Sequence, residues 1–240
     1  MEHNINSLIN NSIEATDGDI GEVKDFYFDD QTWDIRYLIV KTGSWLSGKE
    51  VLISPAALVN TCWKNEFFPV NLTKEQIRNS PDIDTNKPVS RQQEIALYEH
   101  YAWEGYWLSG LYPGGYLGVS IPFPKMDEKP PLEVVNDKKA NAELHLRSTQ
   151  LINGYHIHAS DGDIGHVNDF IIDDNTWQIT HIVVDTHNWF GGKKVLVPVA
   201  HVNKMTWNDS KIILDISIGA IEQCKLFAES DFINRQIAKQ

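Results

Sequence analysis

The sequence contains few cysteines, few basic residues and no long apolar run. Its two cysteines, Cys62 and Cys224, lack a CxxC spacing, which is typical of a reduced cytoplasmic protein. With 21 Lys and Arg against 33 Asp and Glu, the formal net charge is −12, and direct nucleic-acid binding is disfavoured because phosphates attract clustered Lys and Arg. No stretch approaches the roughly 20 apolar residues that cross a bilayer, and the N-terminal sequence MEHNINSLINNSIEA does not resemble a secretory signal. We therefore expect a cytoplasmic protein with no membrane insertion.

Signatures of catalysis are also missing. The sequence has no P-loop, no dinucleotide-binding fingerprint, and no serine or cysteine in a nucleophile context. Its 42% hydrophobic and 22% charged residues are ordinary for a globular protein. We expect a folded protein that is not an enzyme and uses no cofactor.

An internal repeat dominates what the sequence does contain. The segment ATDGDIGEVKDFYFDDQTW (Ala15–Trp33) returns as ASDGDIGHVNDFIIDDNTW (Ala159–Trp177). An offset of 144 positions aligns residues 17–63 with 161–207 without gaps, and 22 of those 47 positions are identical. A duplication of this length indicates two copies of a domain, which we call the first and second modules.

Each module is predicted to be almost entirely β-strand. Short apolar runs alternate with turn sequences such as Thr16–Asp19, Asp29–Gln31 and Lys64–Asn65. Strands of this length and spacing are typical of a small antiparallel β-barrel. The fold class predicted is therefore mainly β, with two tandem small antiparallel barrels packed about a pseudo-two-fold axis.

The strand that follows the first turn carries a spacing defect. Val23 and Phe26 lie three residues apart, so strict alternation would place them on opposite faces. A β-bulge near Lys24–Asp25 would return both side chains to the core. The second module has the same spacing, which indicates a built feature. The carboxylates beside the two bulges, Asp25 and Asp169, are predicted to accept hydrogen bonds from unpaired backbone N–H groups.

A different type of segment separates the modules. A capping box at Ser90 and Gln93 precedes aromatic residues at helical spacing, which predicts a helix docked on the first barrel. IPFPKMDEKPP (Ile121–Pro131) predicts an extended linker. We assign residues 1–80 to the first module, 81–142 to the helix and linker, and 143–240 to the second module with a helical tail over Ala220–Ala238.

These residues resemble the PRC-barrel family. The resemblance rests on four motifs: D-G-D-I-G-x-V-x-D-F, D-D-x-T-W-x-I, I/V-V-x-T and W-x-x-G-K-x-V-L-I/V. They stand in order at Asp17–Phe26, Asp29–Ile35, Ile39–Thr42 and Trp45–Ile53, and again at Asp161–Phe170, Asp173–Ile179, Val183–Thr186 and Trp189–Val197. The family is named for the photosynthetic reaction-centre H subunit and includes a domain of the ribosome maturation factor RimM. The resemblance implies a barrel that acts as an adaptor in protein assemblies and has no catalytic residues. This sequence lacks the transmembrane helix of the first protein and the RNA-handling domain of the second, so neither specific function transfers.

The acidic turns admit three interpretations. In an enzyme, the paired catalytic carboxylates would be Asp17 with Asp19 and Asp161 with Asp163. Residues two apart on a hairpin tip, however, share one solvent-exposed environment, which does not give them the different pKa values that an acid and a base require. An EF-hand calcium loop is excluded by the missing ligand spacing. The interpretation favoured is structural, with each Asp capping its own turn; the residues concerned are Asp17, Gly18, Gly21, Asp161, Gly162 and Gly165.

Histidines and aromatic residues supply the remaining candidates. His156 and His158 share a strand face, and a tight hairpin would bring His166 opposite His158, an arrangement that suits a transition metal; solvent-facing histidines are the preferred interpretation, and no metal is predicted. Exposed aromatic residues often anchor partners, whereas buried ones close a barrel or hold a helix. Both roles stay open for the tryptophans of the glycine-flanked loops, Trp45 and Trp189, and for the central Trp103, Tyr106 and Trp107.

Together these features predict a non-catalytic bacterial adaptor or scaffold that binds other proteins of unknown identity and self-associates. One alternative is an accessory factor in RNA or ribosome metabolism that acts through a ribosomal protein. The other is a metal-dependent hydrolytic enzyme.

Overall fold

A computed structural model of the protein describes residues 1–59, 67–81, 89, 91–103, 145–186, 192–207, 209–229 and 232. The first half contains β1 (Glu2–Asn4), β2 (Ser12–Ala15), β3 (Gly18–Asp29), β4 (Ile35–Thr42), β5 (Glu50–Ile53) and β6 (Phe67–Pro69). The second half contains β7 (Leu146–Ser148), β8 (His156–Ala159), β9 (Gly162–Asp173), β10 (Gln178–Asp185), β11 (Lys194–Pro198), β12 (Val202–Thr206) and β13 (Lys211–Leu214). The prediction of a mainly β chain is confirmed.

The helices between these strands are short. They are α1 (Lys74–Arg78), α2 (Arg91–Tyr101), α3 (Thr149–Ile152) and α4 (Ile218–Glu222), with 3-10 turns at Ile5–Leu8, Ser44–Leu46, Pro55–Ala57 and Val199–His201. Among the described residues, no helix has the length and apolar character required to cross a membrane.

The strands form two sheets with matching order. The first sheet runs β5-β4-β3-β2-β6, and the second runs β11-β10-β9-β8-β13-β12. Each contains one parallel pair, β2 with β6 and β8 with β13, because several strands intervene along the chain and allow a crossover. Neither sheet closes into a barrel within the described residues, so the prediction of an antiparallel barrel is not confirmed.

The bulge lies where the sequence predicts it. Val23 pairs with Val40 and Asp25 with Ile39, which leaves Lys24 as the extra residue of β3. The side chains on either side of the bulge, Val23 and Phe26, are both fully buried. The second module has the same irregularity at the equivalent position of β9.

The first strand of each module pairs with the sheet of the other module. β1 runs antiparallel to Ile171–Asp173 of β9, and β7 runs antiparallel to Tyr27–Asp29 of β3. We call residues 1–8 and 145–152 the exchanged arms. The division into residues 1–80, 81–142 and 143–240 stays a prediction. The strand pairing adds that each arm contributes a strand to the sheet of the other module, which the sequence does not indicate because register between distant strands leaves no local signal.

A second reciprocal contact joins the turns after β3 and β9. The backbone N–H of Ile35 donates to the carbonyl of Trp177 at 2.7 Å, and the N–H of Ile179 donates to the carbonyl of Trp33 at 2.8 Å. Equivalent residues therefore make equivalent contacts in both directions, as an approximate two-fold axis between the modules requires.

One hydrophobic core extends through both modules. The rings of Phe28 and Phe170 lie 5.8 Å apart between centroids. Trp177 of the second module lies 6.5 Å from Phe26 and 6.2 Å from Phe68 of the first. Because aromatic side chains bury large areas, the modules stabilise each other and share their interior.

Helix α2 covers the outer face of the first sheet, in agreement with the predicted docking. Tyr37 Oη donates a 2.8 Å hydrogen bond to Glu94 Oε1, and the Tyr37 ring meets Tyr98 edge-on at 6.4 Å. The predicted linker at Ile121–Pro131 lies outside the described residues.

The C-terminal tail covers the second sheet in a different way. Its helix ends at Glu222, and the next residues add to the edge of β11: Leu196 N–H donates to the Lys225 carbonyl, and Phe227 N–H donates to the Lys194 carbonyl. Phe227 and Phe232 pack on the apolar outer face of this sheet. Of the predicted helical tail over Ala220–Ala238, the described residues Gln223–Glu229 are not helical, because pairing with an open strand edge satisfies their backbone groups instead.

Candidate interaction site

Asp25 is buried at the bulge of β3 and binds the arm of the second module. Its Oδ1 accepts hydrogen bonds from Thr149 Oγ1 at 2.8 Å, Gln150 N–H at 3.2 Å and Phe26 N–H at 2.7 Å, and its Oδ2 accepts from Ser148 Oγ. Burial raises the pKa of Asp25, while these four hydrogen bonds oppose the rise. The carboxylate thus accepts the predicted backbone donor at the bulge, and it also holds the exchanged arm.

Asp169 does the same for the arm of the first module. It accepts from Asn4 Nδ2 at 2.9 Å, from Asn6 N–H at 3.1 Å and from Phe170 N–H at 2.8 Å. Burial raises the pKa of Asp169 as well, and the hydrogen bonds oppose the rise. Both carboxylates are enclosed by protein donors and offer no open position for a substrate.

The aspartates of the two acidic turns bind helix ends. Asp17 Oδ1 accepts from the N–H of Lys74 at the start of α1, and Asp161 Oδ1 accepts from the N–H of Ile218 at the start of α4, both at 2.8 Å. The expectation that each Asp bonds within its own turn is corrected, because the first N–H groups of a helix lack partners and attract a nearby carboxylate. Gly18 and Gly162 follow these aspartates at positive φ.

Gly21 and Gly165 are required by close backbone approach. A Cβ on Gly21 would lie 2.1 Å from the carbonyl oxygen of Lys41, and one on Gly165 would lie 2.0 Å from that of Asp185. Both have φ near +150°, which side chains rarely allow. These glycines let β3 pass close to the backbone of β4, and β9 close to that of β10.

The histidines do not converge as predicted. His166 lies opposite His156, and His158 lies opposite Asp163, because a two-residue turn fixes the register and Ile164 is a bulge. His158 Nδ1 instead contacts Asp163 Oδ1 at 2.7 Å. Within the described ranges, no group of three His, Cys, Asp or Glu side chains is placed to hold a metal ion.

The described aromatic candidates make contacts within the first half of the chain. Trp45 Nε1 donates a 2.7 Å hydrogen bond to the carbonyl of Ile20, and Trp103 stacks on Tyr101 at 4.4 Å. These are the contacts of a loop that closes over its sheet and of a helix end that folds onto it. Trp189, Tyr106 and Trp107 lie outside the described residues.

A half-open cleft of about 510 Å³ lies where the two modules meet. Asp30 and Trp33 line it from the turn after β3, His145 and Arg147 line it from the exchanged arm, and Trp207 lines it from the end of β12. Three separate parts of the chain therefore build this cleft, and the exchange of arms brings them together.

Arg147 organises the cleft. Its Cζ lies 3.8 Å above the centroid of the Trp207 ring, a close cation–π contact. Its Nε lies 2.9 Å from Asp30 Oδ2, while Asp30 Oδ1 contacts His145 Nδ1 at 2.9 Å. Trp207 is 36% exposed, so an indole held by a guanidinium faces solvent at the junction.

The equivalent place in the other half is built differently. Asp174 corresponds to Asp30, and it contacts Nε2 of His3, the residue that corresponds to Arg147, at 3.1 Å. His3 is buried; its burial lowers the pKa of the imidazole, and Asp174 opposes this. The counterpart of Trp207, Trp63, lies outside the described residues. At this place His3 thus stands where the cleft has the guanidinium of Arg147.

Sequence reasoning missed this cleft. Trp207 could be recognised as an aromatic residue kept in both modules, which is the only local signal for it. Arg147 precedes the matched segment, and nothing in the sequence indicates that an arm from one module reaches β12 and the other module's turn.

Comparison with known proteins agrees with the repeat. The family model described as PRC-barrel domain matches residues 1–62 and 152–220, which together make more than half of the chain. No curated protein matches the chain.

Proposed function

The chain belongs to the PRC-barrel domain family, and on that premise we propose that it is a non-catalytic adaptor that binds other proteins through the cleft at the module junction. Domains of this family often mediate protein interactions. The proposal places the protein in the cytoplasm of a bacterium, as the sequence predicts; self-association stays a separate prediction.

The observation that carries the proposal is the exposed Trp207 held by Arg147. Trp and Arg are the side chains that most often dominate the binding energy of protein interfaces, above all where they are fixed before the partner arrives. The ion pair of Arg147 with Asp30 fixes the guanidinium, and the guanidinium in turn orients the indole. When a partner covers Trp207 and Arg147, few side chains of this protein therefore have to become ordered.

We further propose that each sheet is the wall of a small barrel that is closed by a corner. The 3-10 turn Val199–His201 leads directly from β11, at one end of the second sheet, into β12 at the other end. In the first module Val59 N–H donates to the carbonyl of Pro69, and Asn71 N–H donates to that of Ala57. In such a barrel the chain itself connects the two end strands of the sheet at one corner, so the barrel is closed although its strands do not form a complete ring of hydrogen-bonded pairs.

Site-specific photo-crosslinking tests the adaptor function. A photoreactive amino acid replaces Asn203, which lines the cleft and is exposed, and the control carries it at Glu222, which is exposed on α4. We expect a discrete protein adduct from position 203 in living cells and none from position 222. If neither position yields a protein adduct, or both yield the same ones, the cleft is not a protein-binding site.

A further inference from the structure

The described residues that line the junction cleft have a net charge opposite to that of the whole chain. Asp30 is the one carboxylate among the described residues that line the cleft, and both Arg147 and His145 engage it. Lys204 also lines the cleft; it is exposed, and in the described part of the chain no acidic side chain pairs with it. Among the lining residues that the structure describes, two permanent cations and a histidine thus face one carboxylate, in a protein of net charge −12.

The geometry points to a short acidic peptide segment as the ligand: we propose that the cleft binds a partner's carboxylate at Lys204 and an adjoining apolar side chain against Trp207. This inference rests on the proposed adaptor function. The apolar part of the described lining comes from Trp33 and from Val202, Met205 and Trp207; the last three, together with Lys204, belong to or follow one strand, β12.

The size and charge of the cleft select this ligand over others. A volume of about 510 Å³ falls in the range of small-ligand pockets and holds a few residues. A polyanion such as RNA needs many cations along its path, and the acidic remainder of the chain repels it. One or two carboxylates next to an apolar group match the available groups. Attraction to the exposed Lys204 falls with salt, since such charges are screened over about 8 Å at physiological ionic strength.

The ligand class can be tested with a model peptide. The probe is the acetylated and amidated peptide Gly-Leu-Glu-Asp-Leu, the matched control is Gly-Leu-Gln-Asn-Leu, and sodium glutamate tests a free small carboxylate. Binding is followed by the NMR shift of the Trp207 indole N–H, which Trp207→Phe identifies. We expect the acidic peptide to shift this signal at millimolar concentration, and the amide peptide to bind at least fivefold more weakly.

Two lysine variants locate the carboxylate. Lys204→Met should weaken binding of the acidic peptide at least fivefold, while Lys193→Met, which removes an exposed lysine of the same module outside the cleft, should leave it unchanged. Equal binding of both peptides, an unaltered affinity in Lys204→Met, or a response to glutamate equal to that of the peptide would overturn the proposal. A protein adduct from position 203 in the absence of any acidic-peptide response would reject this ligand and leave the adaptor function standing.

Discussion

Thr149 Oγ1 donates a 2.8 Å hydrogen bond to Oδ1 of Asp25, although the two residues lie 124 positions apart. In the other direction Asn4, the counterpart of Ser148, donates to Asp169. Each module thus holds a buried acceptor for the arm of the other module, and each sheet is completed by a strand from elsewhere in the chain. The junction cleft exists because of this exchange, since Arg147 and His145 reach it on the exchanged arm.

Removal of the Asp25 carboxylate should destabilise the whole protein. We expect Asp25→Ala to lower the free energy of unfolding by about 3 kcal/mol, because buried donors of the arm lose their acceptor. Asp25→Asn retains one acceptor oxygen and should cost about half as much. Urea unfolding followed by circular dichroism measures both. Glu22→Ala, at an exposed position of the same strand, is the control; a loss as large as that in Asp25→Ala would contradict the assigned role.

The raised pKa of Asp25 predicts a specific pH dependence. A carboxyl with a folded pKa above its unfolded value of about 3.9 contributes stability that is complete below that pH and is lost as pH rises through the folded pKa. The stability of the wild type relative to Asp25→Asn should therefore decrease between pH 4 and pH 7. Urea midpoints across this range provide the measurement.

Asp29 supplies the opposite case as a control. Burial alone would raise its pKa, but hydrogen bonds from Gln31 N–H, Arg36 and Thr32 N–H hold the pKa below the usual range. The ionised Asp29 carboxylate contributes to the stability of the fold above about pH 3.9, and this stability is lost as pH falls through the folded pKa. The stability of the wild type relative to Asp29→Asn should thus decrease on acidification below pH 4. The same sign for both aspartates would show that their environments have been misassigned.

The close approach at Gly21 predicts a severe effect of one methyl group. We expect Gly21→Ala to lower the free energy of unfolding by at least about 3 kcal/mol, because the Cβ would overlap the Lys41 carbonyl and the backbone conformation is strained. Gly219→Ala is the matched control: no atom lies within 4 Å of its Cβ, and Gly219 lies inside α4. It should stabilise by up to about 1 kcal/mol. Thermal unfolding of both variants tests this, and similar melting temperatures would refute it.

Engineered cysteines can report the exchange of arms. Glu2 lies opposite Asp173 in the β1–β9 pair, and opposed Cα atoms in such a pair are about 4.5–5.5 Å apart, within reach of a disulfide. In a background with Cys62→Ser and Cys224→Ser, the pair Glu2→Cys and Asp173→Cys should oxidise to an intrachain disulfide in a monomer, detected by non-reducing electrophoresis.

The control for this experiment is the pair Glu2→Cys and Asp29→Cys, since Asp29 occupies in the first module the place of Asp173 in the second. It should stay reduced. Rapid oxidation of the control pair would mean that the arm returns to its own module, and disulfide-linked dimers of the first pair would mean that arms exchange between chains.

Local features of the fold could be predicted from the sequence, whereas contacts between the modules could not. The bulge at Lys24 follows from the spacing of Val23 and Phe26, and helix α2 follows from its capping residues and aromatic spacing. Both depend on neighbours in the chain. The residues of β9 that pair with β1 lie 167–171 positions away along the chain. No local pattern selects β9 over β3, because the two strands are similar in sequence.

The candidate site shows the same division. Trp207 stands out as an aromatic residue repeated in both modules, but its partners Arg147 and Asp30 come from two other parts of the chain. The histidines show why short patterns mislead: one turn length and one bulge at Ile164 decide whether His166 faces His156 or His158.

The central claim is that Trp207 anchors a protein partner at the module junction. Its most direct test is the dissociation constant of the partner captured from position 203, measured by calorimetry with the wild type, Trp207→Ala and Leu151→Ala, which removes a 74% exposed leucine outside the cleft. We predict that Trp207→Ala weakens binding at least tenfold, or about 1.4 kcal/mol, with little loss of stability, and that Leu151→Ala binds as the wild type does. Equal affinity of Trp207→Ala and the wild type would contradict the account.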